Sequence, residues 1–297
     1  MKPNVFVWIP EDRLEMETDP QFSRPANAGF MITTEGVVVV NTTNNPFHAR
    51  ELLYEIRQRT DRPVRYVVNT DSHGDHMLGN EVFEDLQATI LASSGAASEM
   101  RLYQIELAQR LEQDFRLPPR MRGIHPTLPT QTFDGKLSLR LGGLEIRLVP
   151  LPGGHSPADA VVYLPEAKVL FLGHLYENGY FPRMASSDVR RWIEILGQVE
   201  AWDVATYVPS HGAPSDKRPL RGFRQFLEWL NREVETRIKK GQSLDQVKGE
   251  VNPLESYRWS ARDLAPRAVE AVYRQLLGRR PVAPMDPQAT TANPTPR

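Results

Sequence analysis

The chain has 297 residues, 40% of them hydrophobic and 25% charged, with 36 Lys plus Arg against 37 Asp plus Glu. That balance describes a globular protein with apolar material for a substantial core, and it lacks the basic stripe needed to grip a long nucleic acid. There is no cysteine, so disulfides and thiolate ligands are excluded and any metal must be held by nitrogen and oxygen.

In chain order, the apolar run at residues 5–9 is far too short for a signal segment or a membrane span, and no membrane contact is expected. Residues 37–40 are a continuous β-branched run closed by the Asn-rich stretch 41–46, which predicts a buried strand and a turn. Leu52, Leu53 and Ile56 fall at helical spacing within a predicted helix over 47–60. A second buried strand is expected over 63–69, running directly into the polar loop 71–76, and a third over 88–92. A helix over 98–117 is ended by Pro118 and Pro119.

Residues 136–151 alternate as a hairpin turning at Gly142 and Gly143. Strands over 161–164 and 169–173 form a further pair, then a helix over 188–201 leads to a strand over 205–208 and the loop at His211. Beyond it the pattern is helical over 220–240, briefly near Leu244, and over 263–277. Residues 281–297 hold Pro, Thr and Ala with almost no large apolar side chain, which predicts a disordered tail after a single domain over 1–280. No internal repeat of fixed short period is present, and the alternation of strands and helices in both halves argues a layered α/β domain.

Seven histidines occur, and five of them fall in loops just after a predicted strand or at its end. Loops of that kind gather at one edge of a sheet, where a rigid scaffold holds side chains convergently. The densest cluster is Asn69-Thr70-Asp71-Ser72-His73-Gly74-Asp75-His76. Asp71 and His73 are two apart, so in an extended segment they point the same way. Gly74 permits a sharp turn, after which Asp75 and His76 face a second position. So many carboxylates and imidazoles in one short loop repel or waste desolvation energy unless a cation binds them. Imidazole with carboxylate suits zinc, iron or manganese, whereas calcium takes oxygen ligands alone. His48 and His125 belong to no such cluster and read as a helix-start and a loop residue.

The loop resembles the metallo-β-lactamase superfamily motif His-x-His-x-Asp-His, with the first His replaced by Asp71. Further motifs follow in the family's order: Gly153-Gly154-His155-Ser156, Phe171-Leu172-Gly173-His174 and Val208-Pro209-Ser210-His211-Gly212. Residues 27–41 are similar to the family's first strand pair, with Asn41 where an Asp usually closes it, and the resemblance covers roughly residues 20 to 280. It implies a four-layer αββα sandwich and a metal site of Asp71, His73, Asp75, His76, His155, His174 and His211.

Two departures are reciprocal. The family's first ligand is His and here is Asp71; its fourth-motif ligand is a bridging Asp and here is His174. The carry-over places Asp71, His73 and His155 around one ion and Asp75, His76 and His211 around another, with His174 between or beside them. Imidazole cannot bridge two metals without losing its second proton, so the bridge implied for a two-ion form is hydroxide, aided by Asp71.

The implied cofactor is zinc, two ions, with iron or manganese as the other candidates. The implied function is a hydrolase in which metal-bound hydroxide attacks an amide, lactam, lactone or ester of a small-molecule substrate, with Asp75 orienting the nucleophile and serving as the catalytic residue. Two alternatives stand beside it. Sets of two His and one carboxylate also suit a non-haem iron oxygenase of the persulfide dioxygenase type, and the exchanged ligands also suit a non-catalytic metal-binding member of the fold. A nuclease role is disfavoured by the charge balance. Tyr176, Tyr180 and Phe181 fit a pocket mouth or an ordinary packed loop equally well.

Overall fold

A computed structural model describes residues 4–10, 25–113, 124 and 126–278. The expected helix end at Pro118 and Pro119, the loop at His125 and the tail 281–297 lie outside the described residues.

The chain begins with β1 (Val5–Trp8), β2 (Ala28–Ile32) and β3 (Val37–Val40), followed by α1 (Pro46–Arg57) and β4 (Val64–Val68). Next come α2 (Gly74–Met77), α3 (Asn80–Glu84), β5 (Thr89–Ser93), α4 (Ser94–Gln113) and β6 (Gln131–Phe133). The second half holds β7 (Leu137–Leu141), β8 (Leu144–Pro150), β9 (Ala160–Leu164), β10 (Val169–Glu177), α5 (Val189–Glu200) and β11 (Thr206–His211). It closes with α6 (Lys217–Lys239), α7 (Leu244–Glu250), α8 (Pro253–Ser256) and α9 (Leu264–Leu276).

Two sheets form, in the orders β1-β2-β3-β4-β5-β6 and β11-β10-β9-β8-β7. Val38, Val40, Val68 and Leu91 of the first sheet pack against Ile146, Leu148, Val162 and Phe171 of the second, giving a dry layer between them. The opposite face of the first sheet buries Val37, Val39 and Val67 under Leu52 and Ile56 of α1. The outer face of the second sheet is covered by Trp192 and Ile195 of α5 and by Phe223, Phe226 and Leu230 of α6. The result is the expected four-layer αββα sandwich. The run Val37–Val40 is apolar throughout because both of its faces are buried.

Local signals explain the helix starts. Asn45 caps α1 by accepting from the His48 backbone N–H at 2.9 Å, and Pro46 occupies its first turn. Asp188 caps α5 through the N–H groups of Arg190 and Arg191, each at 3.0 Å.

Three expectations are revised. α4 starts at Ser94, immediately after β5, four residues before the predicted start at Ser98. The loop 71–76 ends in the short helix α2, which carries Asp75 and His76. The strand expected to end at Gly173 continues to Glu177 as β10. Its pairing with β11 shifts register on either side of Gly173, whose φ of 52° is left-handed and free of penalty only for glycine. The irregularity re-aims the chain so that His174 lies inside a strand rather than in a loop.

Trp192 ties the layers together. It is fully buried, and its indole N–H donates to the Leu175 carbonyl at 2.9 Å. Trp192→Ala is expected to cost about 3–5 kcal/mol of unfolding free energy. Urea denaturation checks this, and a loss under about 1 kcal/mol would contradict the packing described.

Candidate metal centre

All seven residues singled out in the sequence meet at one edge of the sandwich. Asp71 and His73 follow β4, Asp75 and His76 ride on α2, His155 follows β8, His174 is in β10 and His211 ends β11. Their donor atoms form three overlapping triads, each with its atoms within 4.8 Å of one another: His73, His155 and His174; Asp71, His76 and His174; and Asp75, His174 and His211. His174 is common to all three.

The contacts are short. His174 Nδ1 lies 3.0 Å from Asp71 Oδ2, and its Nε2 lies 3.1 Å from Asp75 Oδ2. Asp75 Oδ2 is also 3.2 Å from His211 Nε2. Asp71 Oδ2 is 3.0 Å from His76 Nδ1, while its Oδ1 accepts from the His73 backbone N–H at 2.9 Å. That last bond makes a local turn in place of the extended segment expected, and it still brings Asp71 and His73 together.

His76 sits apart from the grouping that the resemblance implied. Its ring faces Asp71 rather than His211, and its Nε2 lies 2.8 Å from the Ser210 hydroxyl. Asn41, left-handed at φ 60°, accepts from the Thr70 N–H at 3.0 Å, and Thr70 Oγ1 lies 3.0 Å from His76 Nδ1. A polar chain thus runs from the end of β3 through the motif loop to β11.

Electrostatics follow from this crowding. Burial alone would raise the Asp71 carboxyl, but His76 and His174 outweigh it and hold it well below the usual range. Asp75 behaves likewise, with burial opposed mainly by His174. Burial would lower the His174 imidazole, yet Asp75 and Asp71 push it well above the ordinary histidine value. His155 goes the other way: burial, then His174 and His73, hold it well below.

The residues present fit a divalent transition metal. Ligand atoms about 2.0–2.1 Å from a tetrahedral ion stand roughly 3.3 Å apart; the His–Asp contacts here are 3.0–3.2 Å, and the donors of each triad lie within 4.8 Å. His155 Nδ1 is buried without a hydrogen-bond partner among the described residues, a costly state that coordination relieves.

Several residues that the sequence did not flag support the site. Asp159 is buried and accepts from the N–H groups of Gly154 at 3.1 Å and Ser156 at 2.9 Å, and from the Ser156 hydroxyl at 2.7 Å. It thereby fixes the turn that carries His155, and its place four residues past that histidine was the available signal. Glu177, paired with His211 across β10 and β11, is buried, and its Oε2 has no hydrogen-bond partner among the described residues. Burial pushes its carboxyl up to about 7, against the pull of His211 and His174. Asn27 donates to the carbonyls of Pro209 and Gly212 at 3.1 and 2.8 Å, tying the first sheet to the His211 loop. His48 stays outside the site, bonded to Asn44 and Asn45. Tyr176 and Phe181 are core residues, whereas Tyr180 joins Ile9, Pro10, Pro25, Asn27, His211 and Gly212 around a cavity of about 30 Å³ beside the centre.

Comparison with known proteins shows the family to which this fold belongs. Residues 23–211 match the family model described as "Metallo-beta-lactamase superfamily", and the chain belongs to that superfamily. A linear primary-alkylsulfatase from Pseudomonas sp. is 24% identical over 250 residues, covering 72% of this chain and 47% of that protein. A metallo-beta-lactamase type 2 from Elizabethkingia meningoseptica is 27% identical over 154 residues, covering 52% of this chain and 53% of the other. The chain thus spans about half the length of these curated relatives. Among solved structures, a stereoselective inverting sec-alkylsulfatase from Pseudomonas sp. superposes with a TM-score of 0.67 at 21% identity, over 92% of this chain and 50% of that one. A metallo-beta-lactamase from Pontibacter korlensis gives 0.57 at 24% identity, over 68% and 87% of the two chains.

The contact between Asp71 and His174 makes their exchange testable. Asp71→His and His174→Asp are each expected to weaken metal binding about tenfold or more, as loss of a ligand or its orienting partner does. The double variant should recover part of the loss, with a coupling of about 1 kcal/mol or more. Chelator competition measures each constant, and strictly additive losses would contradict the pairing. Asp159→Ala should likewise weaken binding about tenfold by freeing the His155 turn, read by the same titration.

Proposed function

We propose, from the premise of superfamily membership, that the chain is a metal-dependent hydrolase of a small organic substrate with an amide, lactam, lactone or ester bond. The observation carrying this reading is the convergence of five imidazoles and two carboxylates on one edge of the sandwich, with donor spacings that suit divalent ions. The ligands proposed are Asp71, His73, Asp75, His155, His174 and His211, with His76 at the inner rim. Zinc, as two ions, suits this donor set best; iron and manganese suit it as well.

A bound ion of this kind lowers the pKa of water from 15.7 to about 7 and polarises the bond to be cleaved, so neither a Ser nor a Cys nucleophile is required. The chain's own residues do the remaining work. Asp75, held by His174 and His211, is partly exposed at its outer edge and is positioned to orient the attacking water and hand a proton to the leaving group. Asp71 lies deeper and serves to fix His73 and His174.

One further observation bears on the substrate. The alkylsulfatase relatives are matched over most of this chain, which brings sulfate esters into the ester class.

The test is a panel of carboxylic esters, lactones, lactams and alkyl sulfates, run with zinc-loaded protein, after chelation, and after metal is restored. Turnover of an ester-type substrate that is lost on chelation and regained on reloading is expected. Asp75→Asn should lower kcat by about 10²–10⁴, the range for a general acid–base group, with smaller change in KM. Failure across the whole panel with metal bound would contradict the reading, as would iron content accompanied by oxygen consumption.

A further inference from the structure

Uneven burial sets the open side of the centre. Asp71 and His76 are closed off at 1% and 0% exposure, whereas the side chains of His73 and Asp75 are 29% and 21% exposed. A substrate therefore approaches over the rim formed by His73, Gly74 and Asp75. Tyr103 of α4 reaches that rim. A Cβ placed on Gly74 would stand 2.6 Å from the Tyr103 hydroxyl oxygen and 3.2 Å from its Cζ. The phenol thus rests on the glycine between two ligands, an approach that the missing side chain permits.

The helix that carries Tyr103 is braced against both motif loops. Ser93 donates to the Ala158 carbonyl at 3.1 Å, and a Cβ on Gly95 would meet the Ala158 side chain at 3.2 Å. One turn on, Glu99 accepts from the Ser72 hydroxyl at 2.8 Å. Tyr103 follows four residues later on the same face, its half-buried ring packed against Met77, Leu78 and Met100. A ring held in this way, with its polar end at the rim, is a preorganised hydrogen-bond donor.

We propose that Tyr103 is a further catalytic residue, its hydroxyl donating a hydrogen bond to the substrate oxygen on which negative charge develops. The inference rests on the metal-hydrolase reading and deepens it. Asp75 is assigned to the attacking water and the imidazoles to metal, so Tyr103 adds a neutral donor of different chemistry. The phenol keeps its proton throughout and forms no covalent bond; it stabilises charge and nothing more. Two neighbours then have a purpose. Gly74 leaves room for the hydroxyl, and Glu99 sets α4 against the motif loop.

Methylphosphonate, a tetrahedral anion that is bound but not cleaved, is the probe, added to the zinc-loaded full chain. Nuclear magnetic resonance with the tyrosine Cζ carbons isotopically labelled is expected to show one signal moving downfield on saturation, as a phenol donating to an anion does. That signal should be absent from Tyr103→Phe, which keeps the ring. By calorimetry the variant should hold the wild-type amount of zinc and bind methylphosphonate about tenfold more weakly or worse. If the variant fails to fold, through-space contacts to the Gly74 α-protons assign the moving signal instead. Methylphosphonate bound with the Tyr103 signal unmoved would overturn the proposal and leave the hydrolase reading standing. Equal affinity in wild type and Tyr103→Phe would do the same. A chain that takes up no zinc, or a zinc-loaded chain that does not bind the probe, would contradict both.

Discussion

Everything at the working edge of this protein depends on one imidazole set between two carboxylates. Removing a carboxylate from water costs several kcal/mol even after relaxation, and Asp71 is buried outright. Such groups persist only when opposite charge and hydrogen bonds stand close to them. His174 supplies that charge to Asp71 and Asp75 together, at 3.0 and 3.1 Å. Remove it and two acids face each other across a low-dielectric pocket. The three side chains therefore balance one another's charge within the buried cluster.

The scaffold is arranged to keep that geometry fixed. The strand β10 is buried along its whole length, and its irregularity at Gly173 turns His174 toward the motif loop without ending the strand. On the neighbouring strand Ser210 reaches His76, while Asn27 crosses from the first sheet to the carbonyls around His211. Trp192 packs its ring 5.3 Å from His155 and anchors the outer helix to the strand that bears His174. Ligands placed on strands and short turns, each with a hydrogen-bonded support, hold position better than ligands on free loops.

Much of this was legible in the sequence. A layered α/β domain follows from the alternation of strands and helices in both halves, the four-layer order was implied by the family resemblance, and the clustered His and Asp fall just after apolar runs. The hairpin at Gly142 and Gly143 appears where its glycines place it. What escaped has physical causes. β10 seemed to stop at Gly173 because a glycine after an apolar run reads as a break, and only pairing with β11 shows the strand resuming. β6 is three residues long and stands by its parallel pairing with β5, which no local pattern reveals. The grouping of His76 with Asp71 was likewise out of reach, since it is set by Ser210, 134 residues away in the chain. Asp159 and Glu177 carry signals that look like ordinary surface acids until burial is known.

The reciprocal exchange of Asp71 and His174 thus changes the character of the centre and keeps its composition of five imidazoles and two carboxylates. The central claim is that this set exists to hold metal. Elemental analysis of the full chain, purified without added metal or chelator, tests it most directly. The account predicts two equivalents of a divalent transition metal per chain. Protein that carries none, and gains neither metal nor melting temperature when zinc, manganese and iron(II) are supplied in turn, would contradict it.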